Sequence, residues 1–152
     1  MANVTAADIK ALREETGAGM MECKKALEES DGNMDKAREW IKQRGLAKAE
    51  KKADRETKEG YIAVYVHNTN KMAAMVEILC ETDFVARNPE FQEMAKNVAM
   101  QVVSMSPETV EELLAQDYIR GGGTIEELVK GLSGKIGEKF VVSRFVRYAV
   151  GE

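Results

Sequence analysis

The sequence predicts an α+β protein, in which a small helical unit precedes a three-stranded antiparallel sheet packed with helices. Three observations predict this class. Apolar residues recur at helical spacing in residues 1–46, two strand-like runs joined by turn residues follow residue 60, and several helical patterns separate them from a third strand-like run. With 152 residues, the chain is long enough for both units.

Three short helices are predicted in the first unit. The first helix is capped by Thr5 and stops at Gly17, the second begins after Gly19, and the third is capped by Asn33 and ends at Gly45. So few helical residues can form only a small core. We therefore interpret residues 1–46 as a compact binding module rather than an enzyme.

Two consecutive methionines open the second helix. Met20 is expected on an apolar stripe with Cys23 and Leu27, whereas Met21 is expected nearer the solvent. Because neighbouring helical positions cannot face the same core, at least one of these methionines should be exposed, where it is an adaptable contact for a partner protein. An alternative remains open, in which both are packed at the end of the bundle.

A charged helical connector is predicted at residues 47–59, ahead of a core domain at residues 60–152. Basic residues of the connector are interleaved with acidic ones and the formal net charge is −4, so we expect no direct nucleic-acid partner. No run is long enough for a membrane span, and the first residues lack the apolar region of a signal peptide, so we expect a cytoplasmic protein. Cys23 and Cys80 are expected to be buried free thiols.

The core domain is predicted to begin with a hairpin. Its strands cover Tyr61–His67 and Lys71–Glu81, and a last strand covers Lys139–Val150. Helices are predicted to start near Pro89, Pro107 and Thr124.

Helices should cover one face of this sheet, and the second face is expected to be apolar as well. The side chains predicted to point to the second face are Tyr61, Tyr65, Met75 and Leu79. A three-stranded sheet with an apolar second face is a candidate for self-association. We therefore predict a homodimer that forms through the sheet.

The segment Glu81–Asn88 joins the hairpin to the next helix and places Asp83 beside Phe84 at the corner. Two interpretations are open. The segment can form a packed turn, as a single phenylalanine in a short turn usually does, or Phe84 can project as a wedge with a charge beside it.

Catalytic chemistry has little support in the sequence. His67 is the only histidine and has no Ser, His, Asp order around it, and Gly134 with Lys135 lacks the other residues of a phosphate loop. We predict no catalytic residues, no metal ligands and no cofactor. A small enzyme that uses Cys80 or His67 remains a rival class.

Three motifs occur in order along the chain: Leu12–Leu27, Glu77–Arg87 and Lys135–Glu138. Together they resemble the signatures of the elongation factor Ts family, in its short form with a single core subdomain. The resemblance implies a three-helix domain like the ubiquitin-associated (UBA) domain, followed by the family's core domain.

The resemblance also implies a function. Members of that family are guanine nucleotide exchange factors for elongation factor Tu, a GTPase of translation elongation, and are not enzymes. Their second signature intrudes near the Mg²⁺ and phosphate site of the GTPase and promotes GDP release. The corresponding residues of this chain are Thr82, Asp83, Phe84 and Val85.

Further positions are implied to bind the partner. These are Leu12, Met20, Met21 and Arg87. Leu79, Cys80 and Glu81 depart from the second signature without altering the segment from Thr82 to Arg87. The alternative function is a UBA-like protein-interaction module without exchange activity, which would leave the second and third motifs unexplained.

Overall fold

A computed structural model describes residues 3–152, and this part of the chain contains seven helices and one three-stranded antiparallel sheet. The predicted α+β class is confirmed. The helices are α1 (Ala6–Thr16), α2 (Met20–Glu29), α3 (Met34–Glu50), α4 (Asp83–Ala86), α5 (Pro89–Met105), α6 (Val110–Ala115) and α7 (Ile125–Ile136). The strands are β1 (Glu59–Val66), β2 (Met72–Cys80) and β3 (Val141–Ala149).

Helices α1, α2 and α3 form a unit with a core of its own. The predicted caps are confirmed: Thr5 and Asp8 form a capping box at α1, and the side chain of Asn33 accepts a hydrogen bond from Lys36 N at α3. Gly17 ends α1 in the left-handed region, with φ 70°. The buried apolar residues of this unit are Leu12, Ala18, Cys23, Ala26, Leu27 and Ala37.

The predicted end of the third helix at Gly45 is wrong, because α3 continues to Glu50 and packs along α7. A Cβ atom added at Gly134 of α7 would lie 2.1 Å from the carbonyl oxygen of Gly45. Gly45 and Gly134 therefore let the backbones of α3 and α7 approach closely. The packing gained outweighs the helix propensity that α3 loses by having a glycine in its interior. Beyond Glu50, the predicted helical connector continues as turns instead of a helix.

The sheet has the order β1-β2-β3, and its covered face packs against α5. Side chains from the two strands of the hairpin, including Ala63, Val76 and Ile78, are fully buried there. Phe91 of α5 packs edge to face on Phe140, with ring centroids 4.8 Å apart.

Tyr61 and Tyr65 were predicted on the second face of the sheet, and this assignment is wrong. Both tyrosines pack against the core with Ala63, because residues two apart on a strand share a face. The second face, called here the open face, is nevertheless apolar. Its exposed apolar side chains are Ile62, Val64, Val66, Met75, Val146 and Tyr148.

Several element boundaries also differ from prediction, including those of both hairpin strands. Ser106 takes a left-handed conformation with φ 48°, so α6 starts only at Val110, where Thr109 is the cap. The last strand is shorter than predicted at both ends. Among residues 3–152, no helix is both long enough and apolar enough to cross a membrane.

Candidate functional site

The corner between β2 and α5 presents Phe84 to the solvent. Helix α4 has only four residues, and its N-cap is Thr82, whose side chain accepts a hydrogen bond from Val85 N. Val85 and Ala86 are buried against the core, whereas the ring of Phe84 is 80% exposed. The packed-turn interpretation is therefore wrong for Phe84. Val85 lies on the core side of α4, which makes it a packing residue.

An acidic and a basic side chain flank the Phe84 ring. Arg87 Nη2 donates to Asp83 Oδ2 at 2.5 Å, and the guanidinium carbon lies 5.9 Å from the centroid of the Phe84 ring. We call Asp83, Phe84 and Arg87 the Phe84 cluster. Both charged side chains are more than half exposed, so the ion pair adds little to stability and remains available to a partner.

Glu138 lies beneath the Phe84 cluster and had no role in the sequence-based prediction. Its carboxylate accepts hydrogen bonds from three donors of the β2–α4 corner: Glu81 N at 3.1 Å, Thr82 N at 3.0 Å and Thr82 Oγ1 at 2.6 Å. The signal that could have indicated it is its place in the third motif. Its partners are 56 and 57 residues away, so spacing alone could not identify them.

The first turn of α2 presents a second apolar surface. Met20 is 57% exposed and Met21 is 72% exposed. The predicted place of Met20 on the buried stripe is wrong, because Cys23, Ala26 and Leu27 fill the core of this unit. Both methionines are thus available as soft contacts for a partner.

Leu12 is fully buried, so its side chain offers no surface to a partner. We correct its role from partner contact to packing. The Thr16 hydroxyl donates a hydrogen bond to the carbonyl oxygen of Leu12 at 2.7 Å, immediately before Gly17 turns the chain towards Met20. Leu12 therefore supports the loop that leads to the exposed methionines.

Lys135 connects the α1–α2 loop to the start of α5. A Cβ atom at Gly17 would lie 2.5 Å from Lys135 Nζ, which shows that the ammonium group lies against the α1–α2 loop. The same ammonium donates to Glu90 Oε1 at 2.6 Å, near the start of α5. A further ion pair, between Lys42 Nζ and Glu127 Oε2 at 2.8 Å, joins α3 to α7. These contacts join the three-helix unit to the core domain.

Neither the cysteine thiols nor His67 has surroundings that favour catalysis. Cys23 and Cys80 are buried free thiols, as predicted, and burial raises the pKa of Cys80 to about 11. His67 Nδ1 lies 3.3 Å from the hydroxyl of Tyr65 at the end of β1. Within residues 3–152, no group of His, Cys, Asp and Glu side chains is arranged to hold a metal ion.

Comparison with known proteins identifies relatives of the whole chain. The elongation factor Ts family model matches residues 81–152, a region that contains the Phe84 cluster and Glu138. A protein of Nitratidesulfovibrio vulgaris (strain DSM 19637 / Miyazaki F) named elongation factor Ts is 41% identical, and the match covers 97% of each chain. One from Prochlorococcus marinus (strain MIT 9215), with the same name, is 40% identical over all of this chain and 91% of its own length.

A third relative is more similar to this chain over a shorter match. The elongation factor Ts of Oleidesulfovibrio alaskensis (strain ATCC BAA-1058 / DSM 17464 / G20) is 58% identical over 112 residues, which cover 74% of this chain and 57% of that protein. The alignment to the Nitratidesulfovibrio protein spans 194 residues, more than the 152 of this chain, so that relative contains residues without a counterpart here. Identity of 41% over nearly all of both chains leads to one conclusion: this chain belongs to the elongation factor Ts family.

Proposed function

We propose that this chain is a guanine nucleotide exchange factor for elongation factor Tu in translation elongation, and that it acts in the cytoplasm. In this proposal it promotes GDP release by disturbing the Mg²⁺ and phosphate site of the GTPase. The single observation that carries the proposal is the Phe84 ring, 80% exposed on a helix that is packed against the core through Val85 and Ala86.

The energetic argument starts from the exposed ring. Burying a phenylalanine side chain against a partner stabilises the displaced state, in which the ring is inserted, by roughly 1.5–3 kcal/mol, and the ring needs no rearrangement of this chain to become accessible. Magnesium bridges nucleotide phosphates to protein ligands in GTPases, so an insertion that shifts those ligands weakens nucleotide binding without any bond chemistry. Asp83 supplies a negative charge at the same corner, which favours the displaced arrangement of the metal ligands.

The proposal requires reciprocity between the two ligands of the GTPase. If this chain weakens nucleotide binding by some factor, the nucleotide weakens binding of this chain by the same factor. Exchange therefore runs in either direction, and the more abundant nucleotide occupies the GTPase at the end of the cycle.

The exposed methionines have a different role in this proposal. Met20 and Met21 supply affinity from the three-helix unit, whereas the Phe84 cluster causes displacement. Arg87 holds Asp83 by its ion pair and adds a cation at the contact surface.

The test is release of a fluorescent GDP analogue from elongation factor Tu at fixed Mg²⁺, chased with excess unlabelled nucleotide. We expect the wild-type chain to accelerate release, and Phe84→Ala to lower the maximal rate by about 100-fold with little change in affinity, since the lost contact forms in the displaced state. The double variant Met20→Ala with Met21→Ala should instead raise the half-saturating concentration by about tenfold.

Met105→Ala is the matched control, because Met105 is an exposed side chain of the core domain outside both surfaces. It should leave both parameters unchanged. Equal losses of rate and affinity in the Phe84 and methionine variants would contradict the division of roles. No acceleration by folded wild-type protein would favour the alternative, a UBA-like interaction module without exchange activity.

We also propose that the chain forms a homodimer through the open face of its sheet. Six exposed apolar side chains on one side of a three-stranded sheet support this arrangement.

A further inference from the structure

We infer that Glu138 is a positioning residue for the Phe84 cluster, and that the third sequence motif exists to place its carboxylate under the β2–α4 corner. This inference deepens the proposed function and rests on it. Glu138 does not itself contact the partner. Its role is to fix the direction in which the Phe84 side chain projects.

The hydrogen bonds hold the corner on both sides of Thr82. Glu138 Oε1 accepts from the backbone N–H groups of Glu81 and Thr82, and Glu138 Oε2 accepts from the Thr82 hydroxyl. Thr82 is the N-cap of α4, so its backbone sets the direction in which the four-residue helix leaves the sheet. On the other side, Cys80 Sγ donates to the Thr82 carbonyl at 3.3 Å.

A second carboxylate makes the contact reciprocal. Glu81 Oε1 accepts from Lys139 N at 2.8 Å, while Glu138 accepts from Glu81 N. Residues 81–82 and residues 138–139 are thus cross-linked in both directions. Such reciprocal bonding restricts rotation of one corner against the other more strongly than a single hydrogen bond could.

Arg55 extends this arrangement to the connector. Its Nη1 donates to Glu81 Oε1 and to the Gly137 carbonyl, each at 3.2 Å. The turn that follows α3 is therefore held against the corner that carries Phe84. Through Arg55, the connector that follows the three-helix unit also helps to fix the orientation of the corner.

The location of these bonds favours a role in orientation over a role in folding. Thr82 is exposed, and water could satisfy its donors if Glu138 were absent, so the net contribution to stability is small. Val85 and Ala86 already attach α4 to the core. What the carboxylate adds is a fixed direction for an exposed ring, and a contact that acts by insertion loses much of its effect when it is misplaced by about 1 Å.

The experiment compares Glu138→Ala, Glu138→Gln and the matched control Asp8→Ala. Asp8 is matched because its carboxylate accepts from the N–H and hydroxyl of one threonine, Thr5, at 3.0 and 2.8 Å, as Glu138 does from Thr82, but in the three-helix unit. Each variant is measured for the maximal rate and half-saturating concentration of GDP release, for thermal midpoint, and for amide hydrogen exchange at Thr82.

We expect Glu138→Ala to lower the maximal rate by about tenfold, to change the half-saturating concentration by less than about twofold, and to abolish protection of the Thr82 amide. Glu138→Gln should recover most of the rate, because its carbonyl oxygen can still accept from the two backbone N–H groups. Asp8→Ala should lower the thermal midpoint at least as much as Glu138→Ala and leave the maximal rate unchanged.

The inference is overturned if Glu138→Ala retains protection at Thr82, or if its maximal rate stays at the wild-type value. A parallel loss of rate in Asp8→Ala would assign the effect to stability and would also overturn it. If the wild-type chain fails to accelerate release, the proposed function fails, and hydrogen exchange at Thr82 alone then decides whether Glu138 fixes the corner.

Discussion

Cys80 and Phe84 are four residues apart and have opposite environments. Cys80 ends β2 in the covered face of the sheet and is fully buried, while the Phe84 ring is 80% exposed. The ordinary preference of the two residue types for burial does not separate them. Helix α4 makes the difference, because its single turn can direct only one side towards the core, and Val85 with Ala86 occupies that side.

The environment of Cys80 leads to a prediction about its reactivity. Burial raises the pKa of this thiol to about 11, and the nearby carboxylate of Glu138 adds to the effect. Since the thiolate is the reactive form, only about one Cys80 in ten thousand carries it at pH 7. We expect the native protein to react with an aromatic disulfide reagent far more slowly than an exposed thiol does at pH 7, and faster as the pH rises towards the pKa.

The urea-unfolded protein is the control, because both of its cysteines should react at once. Rapid modification of Cys80 in the native state at neutral pH, identified by mass spectrometry, would contradict this prediction. That result would also revive the rival class of a small enzyme with a cysteine nucleophile.

At the scale of elements, the contact between α3 and α7 joins the two units of the molecule. Its closest approach is between Gly45 and Gly134, where neither helix has a side chain to separate the backbones. Gly131 lies one turn before Gly134, and a Cβ atom added there would meet nothing within 4 Å. The two glycines of α7 therefore offer a direct comparison.

We expect Gly134→Ala to destabilise the protein by about 2 kcal/mol or more, because its Cβ would overlap the Gly45 carbonyl at 2.1 Å and force the helices apart. Gly131→Ala should be neutral or stabilising by up to about 1 kcal/mol, since alanine favours a helix over glycine. Urea unfolding followed by circular dichroism measures both. Similar stability of the two variants would show that the close approach of α3 and α7 contributes nothing to stability.

At the scale of the whole molecule, the open face carries six exposed apolar side chains that the fold leaves uncovered. Val64, Met75 and Val146 occupy matching register positions on three adjacent strands, so they form a row across the middle of the sheet. Near one end of the face, Glu77 pairs with Arg144 at 3.2 Å, and these charges limit the apolar area. A second copy of the same sheet would cover this row.

We predict that the wild-type chain sediments at micromolar concentration with twice the monomer mass of 16.9 kDa. Met75→Lys should produce the monomer, because a charge in the middle of the row would be buried without a partner. Met105→Lys is the matched control, since Met105 is exposed to a similar degree on α5, and it should remain dimeric. A wild-type monomer in light scattering would remove the homodimer proposal.

Much of this molecule follows from the sequence alone, for a physical reason. The caps at Thr5 and Asn33 and the helix starts near Pro89 and Thr124 were predicted correctly, because they depend on residues within a few positions of one another. The family motifs are local in the same sense. Each is read without knowledge of what packs against it.

Only the tertiary structure decided the remaining features, because they depend on contacts between distant parts of the chain. Glycine is a residue that commonly ends a helix, but packing against α7 keeps α3 helical at Gly45. The position of α5 decides that Tyr61 and Tyr65 face the core. Likewise, Glu138 reaches Thr82 across 56 residues, and the direction of the Phe84 ring depends on that contact and on the packing of α4, both of which form only when the chain is folded.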